Sequence, residues 1–404
     1  MPPTTACDLA AAFESPVSPL RHRGDACHVA RCSRAFSRLL TALTDPIDKR
    51  AEVMSGIIGH TLFGLLGLKA ASSRQLPVAP VAARHLASYL AGAYIGCDIQ
   101  TMPEAVCVDT GREIGYGTVP IEKSPYTQGP VRPWSLQVGD KSYRPRQIHD
   151  LFYGRAHLVF GWTREQREHT VPWDHLPDYL ADVVDDNDEQ FGPGERSLAY
   201  VLGWIAHIVS DSLIKSVHPG IDLNLVDGKY TPRNRPIQDL YMFHEIGVKE
   251  LHLNWPALLA DLAATPVEPV QRHYMRLATP SGRLPKDFPH GWQPDQADLI
   301  DAVLRENRRW CGQHADHVLS DMQLVADADG VLDCNESIRS RTGYSYPEMV
   351  ALAEQAHLRH ACLQMGDAIA EMFVAVLRRS PRLAKLPIDD GPNWAELSKS
   401  WSAN

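Results

Sequence analysis

Cysteine is scarce in this chain of 404 residues: Cys7, Cys27, Cys32, Cys97, Cys107, Cys311, Cys334 and Cys362 are scattered, with no Cys-x-x-Cys pair. Neither a zinc ribbon nor a disulfide scaffold is indicated, and reduced thiols in a cytoplasmic protein are the expectation. Long apolar runs are missing too. No eighteen consecutive apolar residues occur, and the opening MPPTTACDLAAAFESP has proline at once, no basic segment and acidic breaks at Asp8 and Glu14. Neither a transmembrane segment nor an export signal is expected. Nor is there an excess of positive charge: 40 Lys and Arg face 49 Asp and Glu, a net −9. Duplex nucleic acid, which basic proteins hold by counterion release, is thereby excluded as a partner. A single strand or a small phosphate-bearing molecule stays open. The 44% apolar and 22% charged residues describe a globular chain rather than a disordered, collagenous or coiled-coil one.

Apolar residues recur at helical spacing from Ala51 to Lys69, and a second helix fits 81–95. Residues 105–145 change character, with turn pairs and short alternating runs, and read as a small β-like insertion. Helices are then expected over 146–162, through SLAYVLGWIAHIVSDSLIKSV after the acidic loop DDNDEQFGPGE, and near 238–252, 255–264, 295–322 and 347–379. The fold class expected is all-α, a multi-helix bundle. Residues 1–45 form an N-terminal leader, helical or partly ordered, and 46–404 a single helical domain.

The chemistry concentrates around His207. At about 100° per residue, His207 and Asp211 lie about 40° apart on one helix, and His218 returns to about 20° from His207. Their neighbours Val201, Leu202, Ile205, Ile208, Val209 and Leu213 are apolar. An aspartate buried among them needs a cation or a proton. A core His–Asp hydrogen bond is the plainer reading of the pair alone; the third imidazole points to a metal. Further donors stand on other elements: His60 in SGIIGHTLFGLLG, Asp98 in AGAYIGCDI, His149 in RQIHDLFYGRAH, and then Glu245. Imidazole and carboxylate without thiolate suit zinc, with manganese or iron(II) also compatible.

In that order the motifs resemble the bacterial zinc-dependent phospholipase C family and the fungal single-strand nucleases that share its fold. LGWIAHIVSDSLIKSVH is similar to the family's central signature, GIIGHTLFGLLGLKAAS to its opening Gly-His helix, GAYIGCDI to its Gly-Ala-x-x-x-Asp turn and IHDLFY to its next His motif. The resemblance covers about 51–252. It implies a helical fold of the phospholipase C type, two or three zinc ions, and as ligands His60, Asp98, His149, His207, Asp211, His218 and Glu245. Asp211 would bridge two ions and Asp98 would also be the general base beside the attacking water. Three places depart from the pattern. Ser55, internal, stands where exported members have a ligating N-terminal Trp. Tyr241 stands four before Glu245 where a His is usual, so that His244, or His252, becomes the substitute ligand. The gap from Asp211 to His218 is one residue longer.

The function implied is a metal-dependent phosphoesterase acting on a phosphoester, phosphodiester or phospholipid-like substrate. Tyr153, Arg155 and Lys215 are candidate contacts to that substrate. Other readings are a nuclease or phosphomonoesterase of the same fold, an HD-type phosphohydrolase built on His149-Asp150, and a non-catalytic helical metal-binding protein. A HExxH protease is excluded, since HEIGV at 244–248 has Val248 where the second His must be.

Overall fold

A computed structural model describes residues 56–94, 102–115, 122–124, 127–145, 148, 173–190, 192–214, 221–226, 233–264, 297–326, 328–386, 394 and 396–397. All lie in the compact unit Arg50–Asn404. The leader and the expected helix at 146–162 fall outside the described residues.

Helix dominates, as the periodicity implies. The first helix, α1 (Ile57–Ser73), has no amphipathic stripe: apolar residues surround it and Ile57 to Leu68 are all buried. A helix apolar all round belongs in a core. The single helix expected over 81–95 is two, α2 (Val78–Arg84) and α3 (Leu86–Ala93), broken at His85, whose φ −122°, ψ 45° is not helical. α4 (Leu176–Asp185) leads into the stretch expected as an acidic loop, 185–195, and a short α5 (Asn187–Gln190) lies within it. Next comes α6 (Glu195–Ile214), buried from Ser197 to its end. It packs against α1, α2 and α3. Gly92 and Gly203 permit the α3/α6 crossing: a Cβ on Gly92 would stand 2.0 Å from the Tyr200 carbonyl oxygen, and one on Gly203 would stand 1.8 Å from that of Tyr89.

The C-terminal half wraps this centre. α7 (Asn234–Tyr241) runs straight into a π-helical segment, Met242–Glu250, followed by α8 (Trp255–Ala264) and the long α9 (Ala297–Asp321). The helix expected over 347–379 is again two. α11 (Tyr346–Gln355) follows α10 (Glu336–Thr342), and the left-handed His357, φ 56°, separates it from α12 (Leu358–Leu377), which packs on α1 and α6.

Strands are few and short. β1 (Pro103–Cys107) pairs antiparallel with β2 (Glu113–Gly115) and β3 (Val131–Pro133), and β4 (Leu136–Val138) with β5 (Lys141–Tyr143), within the region read as an insertion. Ala105, Cys107 and Ile114 make a small core there, backed by Val131. Arg309 on α9 reaches Glu113, and Arg112 donates to His317 at 3.0 Å, so the β region is tied to α9. A hairpin not anticipated, β6 (Leu324–Ala326) with β7 (Leu332–Cys334), follows α9. Among the described residues two helices, α6 and α12, are long and apolar enough to cross a membrane; α6 is wholly covered by protein and α12 about half covered.

Candidate metal centre

Three of the predicted ligands meet. His60 on α1 and His207 and Asp211 on α6 each present a donor atom, all within 4.8 Å of one another, and their side chains are fully buried. His207 and Asp211 converge because four residues of α-helix bring side chains back to one face. His60 joins them because α1, buried on all sides, packs along α6. Its ring stacks on that of His207, with centroids 4.3 Å apart and planes 24° from parallel.

The donors are arranged for a cation. His207 Nδ1 lies 2.8 Å from the Ala93 carbonyl oxygen. A carbonyl only accepts, so that contact assigns the proton to Nδ1 and leaves Nε2 with a lone pair. This Nε2 faces Asp211 Oδ2 at 3.6 Å, while His60 Nε2 faces Oδ1 at 3.7 Å. Both separations exceed a good hydrogen bond, about 2.7–3.2 Å. They suit two donors sharing one ion: ligands about 2.1 Å from zinc stand roughly 3.4–3.7 Å apart at tetrahedral to trigonal angles. An imidazole anchored through its far nitrogen to a backbone carbonyl is also the usual outer support of a metal-bound histidine. The three residues therefore fit an ion, with further coordination positions left for water or other ligands.

His244 and Glu245 lie elsewhere. Both side chains reach Tyr346, whose ring meets the His244 imidazole edge-on with centroids 5.5 Å apart. His244 Nε2 sits 2.7 Å from the Met322 carbonyl oxygen. Burial, only partly offset by that carbonyl and Glu245, holds its pKa below the usual histidine range. Glu245 accepts from Tyr346 Oη at 2.5 Å and from Lys249 Nζ at 2.7 Å. His252, the other substitute, has an exposed side chain. None of these joins His60, His207 and Asp211 in a donor cluster among the described residues. Asp98, His149, His218, Tyr153, Arg155 and Lys215 lie outside the described residues.

Burial pushes the Glu245 carboxyl up, but the Lys249 ammonium and the Tyr346 hydroxyl outweigh it and hold the group below the ordinary glutamate range. The stabilisation this represents is complete above about pH 4.3, the unfolded value, and is lost as pH falls through the lower folded value. Tyr346→Phe should cost about 1–3 kcal/mol at pH 7. The gap between variant and wild type should narrow in acid. Urea unfolding at pH 7 and at a pH below that folded value checks both, and an equal gap in the two conditions would remove the ionised Glu245 from the account.

Two features, one in the centre and one outside it, have no plain signal in the sequence. The Ala93 carbonyl leaves no side-chain trace; its only cue is glycine inside two apolar helices, Gly92 and Gly203, which marks close backbone approach. Tyr346, the partner of Glu245, follows from the return of the chain after β7 rather than from any local motif. No family model, no curated protein and no solved structure matches the chain.

Proposed function

We propose that the chain is a zinc-dependent hydrolase of phosphoesters, with His60, His207 and Asp211 as protein ligands of the ion. The observation that carries the reading is the convergence of two imidazoles and a carboxylate at zero exposure, with one imidazole anchored at its far nitrogen. The order of the motifs along the chain, resembling that of zinc-dependent phospholipases C, supports the reaction class. Zinc in such a site supplies a water of lowered pKa and a positive charge against the phosphoryl oxygens. Asp211 balances part of that charge, His207 is held in the metal-binding tautomer by Ala93, and the stacked His60 fixes the second nitrogen donor. Asp98 is the proposed general base, and Asp98, His149 and His218 are the proposed further ligands of a two- or three-ion cluster. The complete burial of the trio favours one other reading, a structural ion that ties α1 to α6 without turnover.

The described trio accounts for one ion. Protein purified without chelator should therefore hold at least about one zinc equivalent, and full occupancy of a cluster would raise this to two or three. Zinc at a hundred times its Kd should raise stability by about 2.7 kcal/mol over chelated protein. Less than about 0.5 equivalents after zinc dialysis would remove the site. A panel of phosphomonoesters, phosphodiesters and a phospholipid then separates the readings: zinc without turnover of any of them selects the structural ion.

A further inference from the structure

Gly56 is the N-cap of α1, and the His60 amide donates to the Gly56 carbonyl at 3.1 Å, so the two residues stand one full turn apart on one face. Helical side chains lean toward the N-terminus, which lays the His60 imidazole over the turn that Gly56 opens. At that spot the guanidinium of Arg235, from α7, rests on the helix. A Cβ on Gly56 would stand 2.0 Å from Nη2 and 3.1 Å from Cζ. Gly56 is buried, whereas the Arg235 side chain is 24% exposed, so the guanidinium reaches from the surface inward to the turn beneath His60.

What surrounds Arg235 keeps it in place without consuming its donors. Asp239, one turn on along α7, faces Nε at 3.6 Å, beyond direct hydrogen-bond distance, and the Nη2 amino group has no hydrogen bond to any described residue. Burial, then the charges of Arg235 and His317, push the His314 imidazole down to about 3, so it stays neutral beside the guanidinium. Asp239 is itself held above the usual carboxylate range by burial, despite Arg235 and Arg341. The setting is electropositive and partly dry, and a guanidinium with spare parallel N–H groups there matches a phosphate or a carboxylate.

Resting on the proposed zinc reading, we infer that Arg235 is the oxyanion-binding residue of the centre, taking the phosphoryl group of the substrate at the turn between Gly56 and His60. Asp239 positions the guanidinium, and Gly56 is glycine because a side chain would occupy the guanidinium's place.

Inorganic phosphate is the probe, titrated calorimetrically into the full zinc-loaded chain. Wild type should bind it, and Arg235→Gln should weaken binding about 10- to 100-fold at unchanged zinc content. Gly56→Ala, which keeps the arginine but displaces it, should weaken binding similarly, and Arg235→Lys should restore part of it. Zinc-loaded wild type that ignores phosphate would overturn the assignment, as would an Arg235→Gln protein that binds it as tightly. So would loss of zinc together with phosphate in both variants, since Arg235 would then serve the scaffold. If wild type holds no zinc, the metal reading fails separately. Phosphate binding by that metal-free chain then decides the role of Arg235 alone: dependence on the residue supports it, and independence overturns it.

Discussion

Asp211→Asn is expected to abolish stoichiometric zinc binding, lowering affinity by more than the 10- to 100-fold that loss of an outer support costs. The substitution keeps the size of the side chain and removes the negative charge facing two imidazole nitrogens at 3.6 and 3.7 Å. Its effect on stability should depend on the metal. In excess zinc the variant should lose about the 2.7 kcal/mol that wild type gains at a hundred times Kd, on top of any difference seen in chelator. Unfolding curves in the two conditions measure the difference. A core hydrogen-bonding role for Asp211 gives instead a drop of the same size with and without zinc, and that outcome would return the trio to scaffolding.

Gly203→Ala is the substitution expected to be most damaging away from the donors themselves. The new methyl would meet the Tyr89 carbonyl oxygen at 1.8 Å and the Ala93 nitrogen at 2.9 Å, both backbone atoms that cannot swing aside. α3 and α6 would have to part, which should cost about 3 kcal/mol or more. Gly203 lies one turn before His207 on the same helix, so parting the helices also pulls the Ala93 carbonyl from Nδ1. Zinc affinity should fall together with stability. Gly312→Ala is the control: in α9, with nothing within 4 Å of the added carbon, it should be neutral or stabilise by up to about 1 kcal/mol. If Gly203→Ala stays within about 1 kcal/mol of wild type, the helix crossing is not what fixes the imidazole.

The helical class and the pairing of His207 with Asp211 were legible because both follow from a 3.6-residue period in an apolar run. His60 was legible as a polar residue inside a helix apolar on every side. The breaks at His85 and His357 were not. Neither residue is a glycine or proline, the usual signals of such a break, although His357 takes a left-handed φ of 56°. The Asp329-Gly330 pair of the β6–β7 hairpin is a turn signal, but it stands between two longer helical patterns whose periodicity dominates the region. Glu245 shows the limit of motif order. Its spacing fitted a ligand, yet the π-helical backbone and the distant Tyr346 give its carboxylate other partners.

The donors that meet in the core are far apart along the chain: from His60 to His207 is 207 − 60 = 147 positions. The proposed ion, held between them, would act as a removable staple closing a loop of that length. A covalent link closing a loop of about 100 residues removes roughly 4.7 kcal/mol of chain entropy from the unfolded state. No short segment of the unfolded chain contains the site, so its assembly waits for α1 and α6 to dock and contributes little to the early steps of folding. The staple should therefore show itself as slower unfolding at nearly unchanged refolding rate, and chelation during a stopped-flow unfolding experiment should release it.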